Sequence, residues 1–208
     1  MNDVHEELLT PYTLHWPEGV FPLGGDTLAL GSFATVRKNW QICDLGTGSG
    51  ALLLLLKRRE ESLSLNGVEI DLLSAETARS NLENNQVVGN VLHGDLRTAS
   101  LPAGRFDLVI SNPPYFPAGS GDSGGPARCE EFCTLDDLCA CAGRIVKNGG
   151  RFSLCHRPER LADLMCTLRK YGLEPKRMKF LSHSPAHPPF LVLLESIKQG
   201  RPGLEIIS

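Results

Sequence analysis

Four consecutive residues carry the most chemistry in this chain: Asn112-Pro113-Pro114-Tyr115. An amino group on a conjugated ring is a poor nucleophile, because its lone pair is spread into the ring. Two acceptors on its N–H groups favour a tetrahedral nitrogen with a localised lone pair. The Asn112 side-chain carbonyl and the Pro113 backbone carbonyl can serve as those acceptors. Proline has no N–H and a fixed φ, so the second carbonyl is held in a stiff turn. Tyr115 offers an aromatic face on which a flipped-out planar group can stack, and Phe116 follows as a second substrate-binding candidate. The chemistry is a direct displacement onto a planar nitrogen, driven mainly by positioning. It needs no general base beyond removal of a proton from the product cation. Asn-Pro-Pro is also a good turn starter, so its meaning depends on its place in the fold.

A second constellation lies upstream. Asp44-Leu45-Gly46-Thr47-Gly48-Ser49-Gly50 follows a short apolar run and opens a helix. Its glycines allow a tight turn and let a ligand approach the backbone closely. The Gly-x-Gly-x-Gly spacing is not that of a dinucleotide fingerprint. Asp44 adds an anion where a pyrophosphate would otherwise sit, which disfavours a nicotinamide cofactor and favours a ligand bearing an ammonium. Glu69 comes 19 residues after Gly50, at a strand end where a carboxylate can accept two ribose hydroxyls. A solvated strand-end charge is the plain alternative. Asp95 follows the next strand, placed to meet an adenine amino group or simply to make a turn.

The elements that must position these residues alternate. Strands are expected at Gln41–Leu45, Leu65–Ile70, Val88–His93, Phe106–Ser111, Arg151–His156, Glu174–Leu181 and Phe190–Ser196. Helices are expected at Thr27–Arg37, Ser49–Arg59, Leu72–Asn85, Thr134–Lys147 and Pro158–Tyr171, the fourth with Thr134 as N-cap. This order implies an α/β fold: a mostly parallel seven-stranded sheet, one antiparallel strand at or near the edge, and helices on both faces. The glycine- and proline-rich stretch from Pro113 to Pro126 reads as a loop, mobile or ordered by ligand. The reading divides the chain into an N-terminal segment over 1–40, with a cofactor-covering helix, and a catalytic domain over 41–208.

The 208 residues, 41% hydrophobic and 22% charged, exclude a disordered chain, a coiled coil and a collagen. The longest apolar run, Ala51 to Leu56, is too short to cross a bilayer. The acidic N-terminus lacks the apolar stretch of a signal peptide. Seven cysteines, an odd number, then imply free thiols and a cytoplasmic setting. A zinc site from Cys129, Cys133, Cys139 and Cys141 is disfavoured, because Cys139 and Cys141 point about 200° apart on a helix; no metal is expected. The net charge of −3 conceals a split. Residues 1–143 hold 9 Lys and Arg against 19 Asp and Glu; residues 144–208 hold 12 against 5. The basic stretch (Arg144, Lys147, Arg151, Arg157, Arg160, Arg169, Lys170, Lys176, Arg177, Lys179) is where phosphate contacts would be sought.

Asp44, the glycines, Glu69 and Asp95 together resemble the S-adenosylmethionine-binding region of the Rossmann-like, class I methyltransferases. The resemblance implies that Asp44, Gly46, Thr47, Gly48 and Gly50 lie against the methionine part. It implies that Glu69 holds the ribose beside Ile70, and that Asp95 with Leu96 frames the adenine. Asn-Pro-Pro-Tyr is the motif of family members that methylate planar amino or amide nitrogens, and Asn112 there also lies beside the cofactor. Phe21-Pro-Leu-Gly-Gly-Asp26-Thr27, Ala127-Arg-Cys-Glu130, Asn148-Gly-Gly-Arg151, Arg157-Pro-Glu-Arg-Leu161, Glu174-Pro-Lys-Arg177 and Leu191-Val-Leu-Leu-Glu195 resemble the tRNA1(Val) adenine-N6 methyltransferase family. That resemblance implies that Asp26 and Thr27 approach the cofactor's methionine end. It also implies an RNA substrate, tRNA in that family, and a strand-like tail beyond Ser208. Arg128, next to the loop, is placed to reach a substrate phosphate. No membrane partner is expected, and the chain is read as a monomer or weak homodimer. Three alternatives stay open: a protein glutamine N5-methyltransferase, an rRNA guanine-N2 methyltransferase, and an inactive RNA-binding module on the same scaffold.

Overall fold

Residue-by-residue alternation sets the two faces of the central sheet. In the strand β3 (Gln41–Leu45), Ile42 enters one core while Cys43 and Leu45 enter the other. The strand β6 (Phe106–Ser111) divides the same way, Leu108 and Ile110 against Val109. The strand β9 (Leu191–Lys198) sends Leu191 and Leu193 to the first core and Val192 and Leu194 to the second. A mostly parallel sheet covered on both faces takes apolar residues on both sides of its strands, which is why these segments read as largely hydrophobic runs.

The computed structural model describes residues 4–113, 133–184 and 186–207. The remaining elements of the sheet are β4 (Ser64–Glu69), β5 (Gly89–His93), β7 (Val146–His156), β8 (Leu173–Leu181) and β10 (Glu205–Ile207). The eight strands run in the order β10-β8-β9-β7-β6-β3-β4-β5. All pairings are parallel except those of β9 with β7 and β8. Helices α1 (Gly25–Phe33), α2 (Ala51–Arg59) and α3 (Leu72–Asn84) cover the first face. Helices α4 (Leu135–Ile145) and α5 (Leu161–Lys170) cover the second. Cys139 and Cys141 are both buried in that second core.

The structure departs from expectation in places; α1, for one, spans Gly25–Phe33 rather than Thr27–Arg37. The sheet has eight strands, not seven, because three residues at Glu205–Ile207 pair with β8; so short a segment has no legible pattern. The antiparallel strand, expected at or near the edge, is third from it, between β8 and β7. The helix expected to run to Lys147 stops at Ile145, because Val146 already pairs with Phe106 in the sheet. The Asn148-Gly149-Gly150 segment is then an irregularity within β7. A Cβ on Gly150 would come within 2.9 Å of the Lys147 carbonyl oxygen, so only glycine fits there.

Ahead of the sheet stands a hairpin, β1 (Val4–Leu9) and β2 (Tyr12–Pro17), which the acidic sequence does not announce. Two amides, Asn81 of α3 and Asn85 at its C-terminal cap, hold it as a neighbouring strand would. Asn81 accepts from the His15 N–H and donates to the His15 carbonyl; Asn85 does the same with Thr13.

One buried charge ties the elements together. Glu195, on β9, is fully buried. It accepts from the Thr35 N–H and hydroxyl (both 2.8 Å), Ser153 (2.9 Å), Arg151 (2.6 Å) and Arg177 (3.1 Å). Thr35 lies just past α1, Arg151 and Ser153 are on β7, and Arg177 is on β8. Arg59, at the end of α2, donates to the Gly31 and Ala34 carbonyls at the end of α1. Burial alone would raise the Glu195 pKa, but the bonds from Thr35, Arg151 and Ser153 outweigh it and hold the carboxyl below its ordinary value. Its stabilisation is therefore complete above the usual glutamate pKa of about 4.3 and is lost as pH falls through the lower folded value. Glu195→Ala leaves Arg151 and Arg177 without their carboxylate. It should cost about 3–5 kcal/mol in urea unfolding at pH 7, with a smaller loss at pH 3; a loss below about 1 kcal/mol at neutral pH would refute the role.

Candidate active site

The first strand of the sheet in chain order, β3, has β4 on one side and β6 on the other, so the chain departs in opposite directions at its carboxyl end. Open α/β sheets bind ligands at such a point. Asp44, Glu69 and Asn112 all lie at or just past carboxyl ends here, and Asp95 follows β5. Asp44 pairs with Ile110 across the sheet. Asn112 is two residues further, roughly 6–7 Å along the strand direction. The Ser111 hydroxyl fastens the two strand ends by donating to the Leu45 carbonyl at 2.6 Å.

The glycine turn crosses over the end of β4. The Gly46 and Thr47 N–H groups donate to the Val68 carbonyl at 2.9 and 3.1 Å. Gly46, Gly48 and Gly50 all have positive φ. At Gly50 the constraint is doubled, since a Cβ would lie 3.3 Å from the Ala78 Cα of α3. Gly67, a residue the sequence did not single out, is needed because a Cβ there would stand 2.9 Å from the Thr47 methyl. The Gly48 N–H donates to one oxygen of Glu69 (2.8 Å) and the Asp71 N–H to the other (3.0 Å). Glu69 therefore fixes the turn and the start of α3 together.

Asp44 is fully buried. Its Oδ2 accepts from the Thr47 hydroxyl at 2.8 Å, while Oδ1 has no hydrogen-bond partner among the described residues. Burial pushes its pKa up to about 7; the Thr47 bond opposes the shift and the Glu69 charge adds to it. Asp95 is in the opposite situation. Its carboxylate accepts from the Arg97 backbone N–H (2.9 Å) and from the Arg97 guanidinium, which hold it below the usual carboxylate range. Ile70 is exposed and Leu96 half-buried at this rim.

Asn112 is held on two sides. Its Nδ2 donates to the Thr27 hydroxyl of α1 at 2.9 Å, and its Oδ1 accepts from the Cys155 thiol of β7 at 3.0 Å. Thr27 is buried and Asp26, beside it in the first turn of α1, is half-buried. Pro113 follows at the strand end. Pro114, Tyr115, Phe116 and Arg128 lie outside the described residues, as does most of the loop from Pro113 to Pro126. The structure thus brings Thr27, Asp44, Glu69 and Asn112 to one end of the sheet. Cys155 was not legible as a site residue: it sits in an apolar strand with no motif around it. Asn81 was missed too; its amide donates to the Ser49 carbonyl at 2.9 Å and so braces the glycine turn from α3.

The basic stretch is largely engaged internally. Arg151 and Arg177 are taken up by Glu195, Lys147 by Asp107, Arg169 by Glu174 and Lys170 by Asp136. Arg144 donates to the Leu101 carbonyl and Lys176 to the Arg201 carbonyl. Arg151 and Arg177 in particular are parts of a buried cluster rather than a face for a polyanion.

A parallel sheet that opens at a glycine turn, with an antiparallel strand inserted inside its other edge, is the frame of the Rossmann-like, class I S-adenosylmethionine-dependent methyltransferases, and this chain has that frame. Within that class the chain belongs to the methyltransferase small domain family, whose model matches residues 18–156. A Cronobacter sakazakii protein called tRNA1(Val) (adenine(37)-N6)-methyltransferase is 36% identical over 138 residues, 62% of this chain and 56% of that protein. A Porphyromonas gingivalis protein of the same name is 31% identical over 186 residues, 83% of this chain and 73% of that protein. Among solved structures, a predicted O-methyltransferase of Agrobacterium tumefaciens superposes with a TM-score of 0.71 at 25% identity, over 87% of this chain and 84% of that one. A Thermus thermophilus 16S rRNA N2 G1207 methyltransferase, in complex with S-adenosylmethionine and guanosine, gives 0.68 at 23% identity, over 94% and 50%. No helix among the described residues is long and apolar enough to cross a membrane.

The raised Asp44 pKa has a stability consequence. Between about pH 4 and 7 the unfolded chain loses a proton that the folded chain keeps, so rising pH costs stability until the folded group ionises near 7. Asp44→Asn removes that cost. Its melting temperature, measured without ligand, should match the native chain at pH 4 and exceed it increasingly up to pH 8. A gap independent of pH would contradict the assignment.

Proposed function

We propose that this protein transfers the methyl group of S-adenosylmethionine to the exocyclic N6 of an adenine in tRNA. The observation that carries the reading is the Asn112 amide, held by Thr27 and Cys155 at the switch point of the sheet. The names of the two relatives favour an adenine in tRNA over other planar nitrogens.

The residues suit the cofactor. The unpartnered Asp44 Oδ1, buried where charge is costly, suits the ammonium of its methionine part. Gly46, Thr47, Gly48 and Gly50 would shape the turn around that part, with Asp26 and Thr27 approaching from α1. Glu69 keeps lone pairs beyond its two backbone bonds for ribose hydroxyls. Ile70 and Leu96 would enclose the adenine. Asp95 would accept from its amino group, which requires Arg97 to give up part of its grip. When bound, the cofactor supplies an electrophilic methyl on a sulfonium. Asn112 and Pro113 would accept the two N–H groups of the substrate amine and localise its lone pair. Pro114, Tyr115 and Phe116 would hold the base, and Arg128 a backbone phosphate.

The same reading makes residues 1–40 an N-terminal segment with a cofactor-covering helix and residues 41–208 the catalytic domain. It places the protein in the cytoplasm as a monomer or weak homodimer.

Two measurements test the proposal. Nucleoside mass spectrometry of unmodified tRNA, incubated with protein and cofactor, should show N6-methyladenosine. Asn112→Ala should reduce its formation roughly 100-fold or more while cofactor binding persists. Transfer to a protein glutamine and none to RNA would overturn it. Separately, cofactor affinity should rise with pH through about 7 as Asp44 ionises, with proton release below that pH. The rise should vanish in Asp44→Asn; a flat profile in the native chain would remove the ammonium assignment.

A further inference from the structure

Resting on the reading of Asn112 as the acceptor of the substrate amine, we infer that Cys155 is a positioning residue that sets which way the Asn112 amide faces. An amide side chain must present its oxygen, not its NH2, to a nucleophilic amine. Thr27 alone does not enforce this. A hydroxyl donates or accepts equally well, so the Thr27 bond would survive a flipped amide. On the other side of Asn112 the structure places a donor that does discriminate between the two ends of the amide, the Cys155 thiol, 3.0 Å from Oδ1.

The backbone explains how the thiol comes to be there. Ser111 pairs with Leu154, so Asn112 and Cys155 are the next residues on neighbouring parallel strands. Cys155 belongs to the same core cluster as Leu108 and Ile110, and Asn112 continues that alternation. A thiol is a weak donor and a weaker acceptor. Facing Oδ1, it makes a hydrogen bond; facing Nδ2, it would leave a half-buried N–H poorly satisfied. Because the bond is weak and uses one of two lone pairs, the oxygen remains an effective acceptor for the amine. An apolar residue here would fill the space without orienting the amide, and a hydroxyl would orient it while drawing more on its electron density.

The test uses the full chain and three variants, Cys155→Val, Cys155→Ala and Cys155→Ser. It measures kcat, KM for tRNA, cofactor affinity by calorimetry and melting temperature. Valine fills the thiol's space without a donor, so it and alanine together separate packing from hydrogen bonding. We expect kcat to fall about three- to tenfold in both, the worth of one ordinary hydrogen bond, with KM and cofactor affinity within twofold. Serine should recover most of the loss. Native kcat in valine overturns the inference, as does serine impaired as much as valine, or kcat falling only in step with cofactor affinity. If alanine unfolds, valine and serine decide alone. Native protein that fails to methylate RNA adenine would refute the proposed function itself, an outcome distinct from any of these.

Discussion

A carboxylate taken wholly out of water must be surrounded by donors and cations, and Glu195 imposes that demand on three other elements. Its partners come from the end of α1, from β7 and from β8, with Glu195 itself on β9. Apolar burial is non-directional, so the leucines of the first core would accept many small displacements of α1 over the sheet. Hydrogen bonds of 2.6–3.1 Å do not. The site inherits that register. Thr27 rides on α1 and Cys155 on β7, and both grip Asn112. The amide's position is thus referred, through two elements, to one buried charge more than a strand away.

Three carboxylates at this end of the sheet show how environment gives one functional group different properties. Glu69 has two backbone N–H donors and acts as a clasp between the glycine turn and α3. Asp95 is held ionised by Arg97. Asp44 has a single hydroxyl donor, no solvent and Glu69 nearby, and its pKa rises to about 7. Under the proposed function, a cationic ligand would supply the partner that Oδ1 lacks. Clasp, fixed anion and poised anion follow from burial and donor count alone.

The charge split also changes meaning in three dimensions. The acidic half does contain Asp44, Glu69 and Asp95. The basic half, however, spends much of its charge within the molecule: on buried Glu195, and at the surface on Asp107, Asp136 and Glu174. The segments Asn148–Arg151, Glu174–Arg177 and Leu191–Glu195 look like separate family motifs along the chain. They meet in one cluster, Arg151, Arg177 and Glu195, whose work is structural.

What the sequence determined by itself was whatever depends on neighbours along the chain. Apolar runs placed β3 and β6 to the residue, the Thr134 cap placed α4, and glycine spacing with Asp44 placed the turn. Motif identity then marked Asn112, Glu69 and Asp95, because their strand ends were already located. Residues far apart in sequence left no such trace. The β1–β2 hairpin depends on Asn81 and Asn85 of a distant helix, β10 on the free edge of β8, and the interior position of β9 on Glu195 finding its partners on both sides. Cys155 reads as one more small apolar residue until parallel pairing sets it beside Asn112. Local periodicity carries the elements; only tertiary structure decides which atoms of different elements touch, and the orientation of the Asn112 amide is decided there.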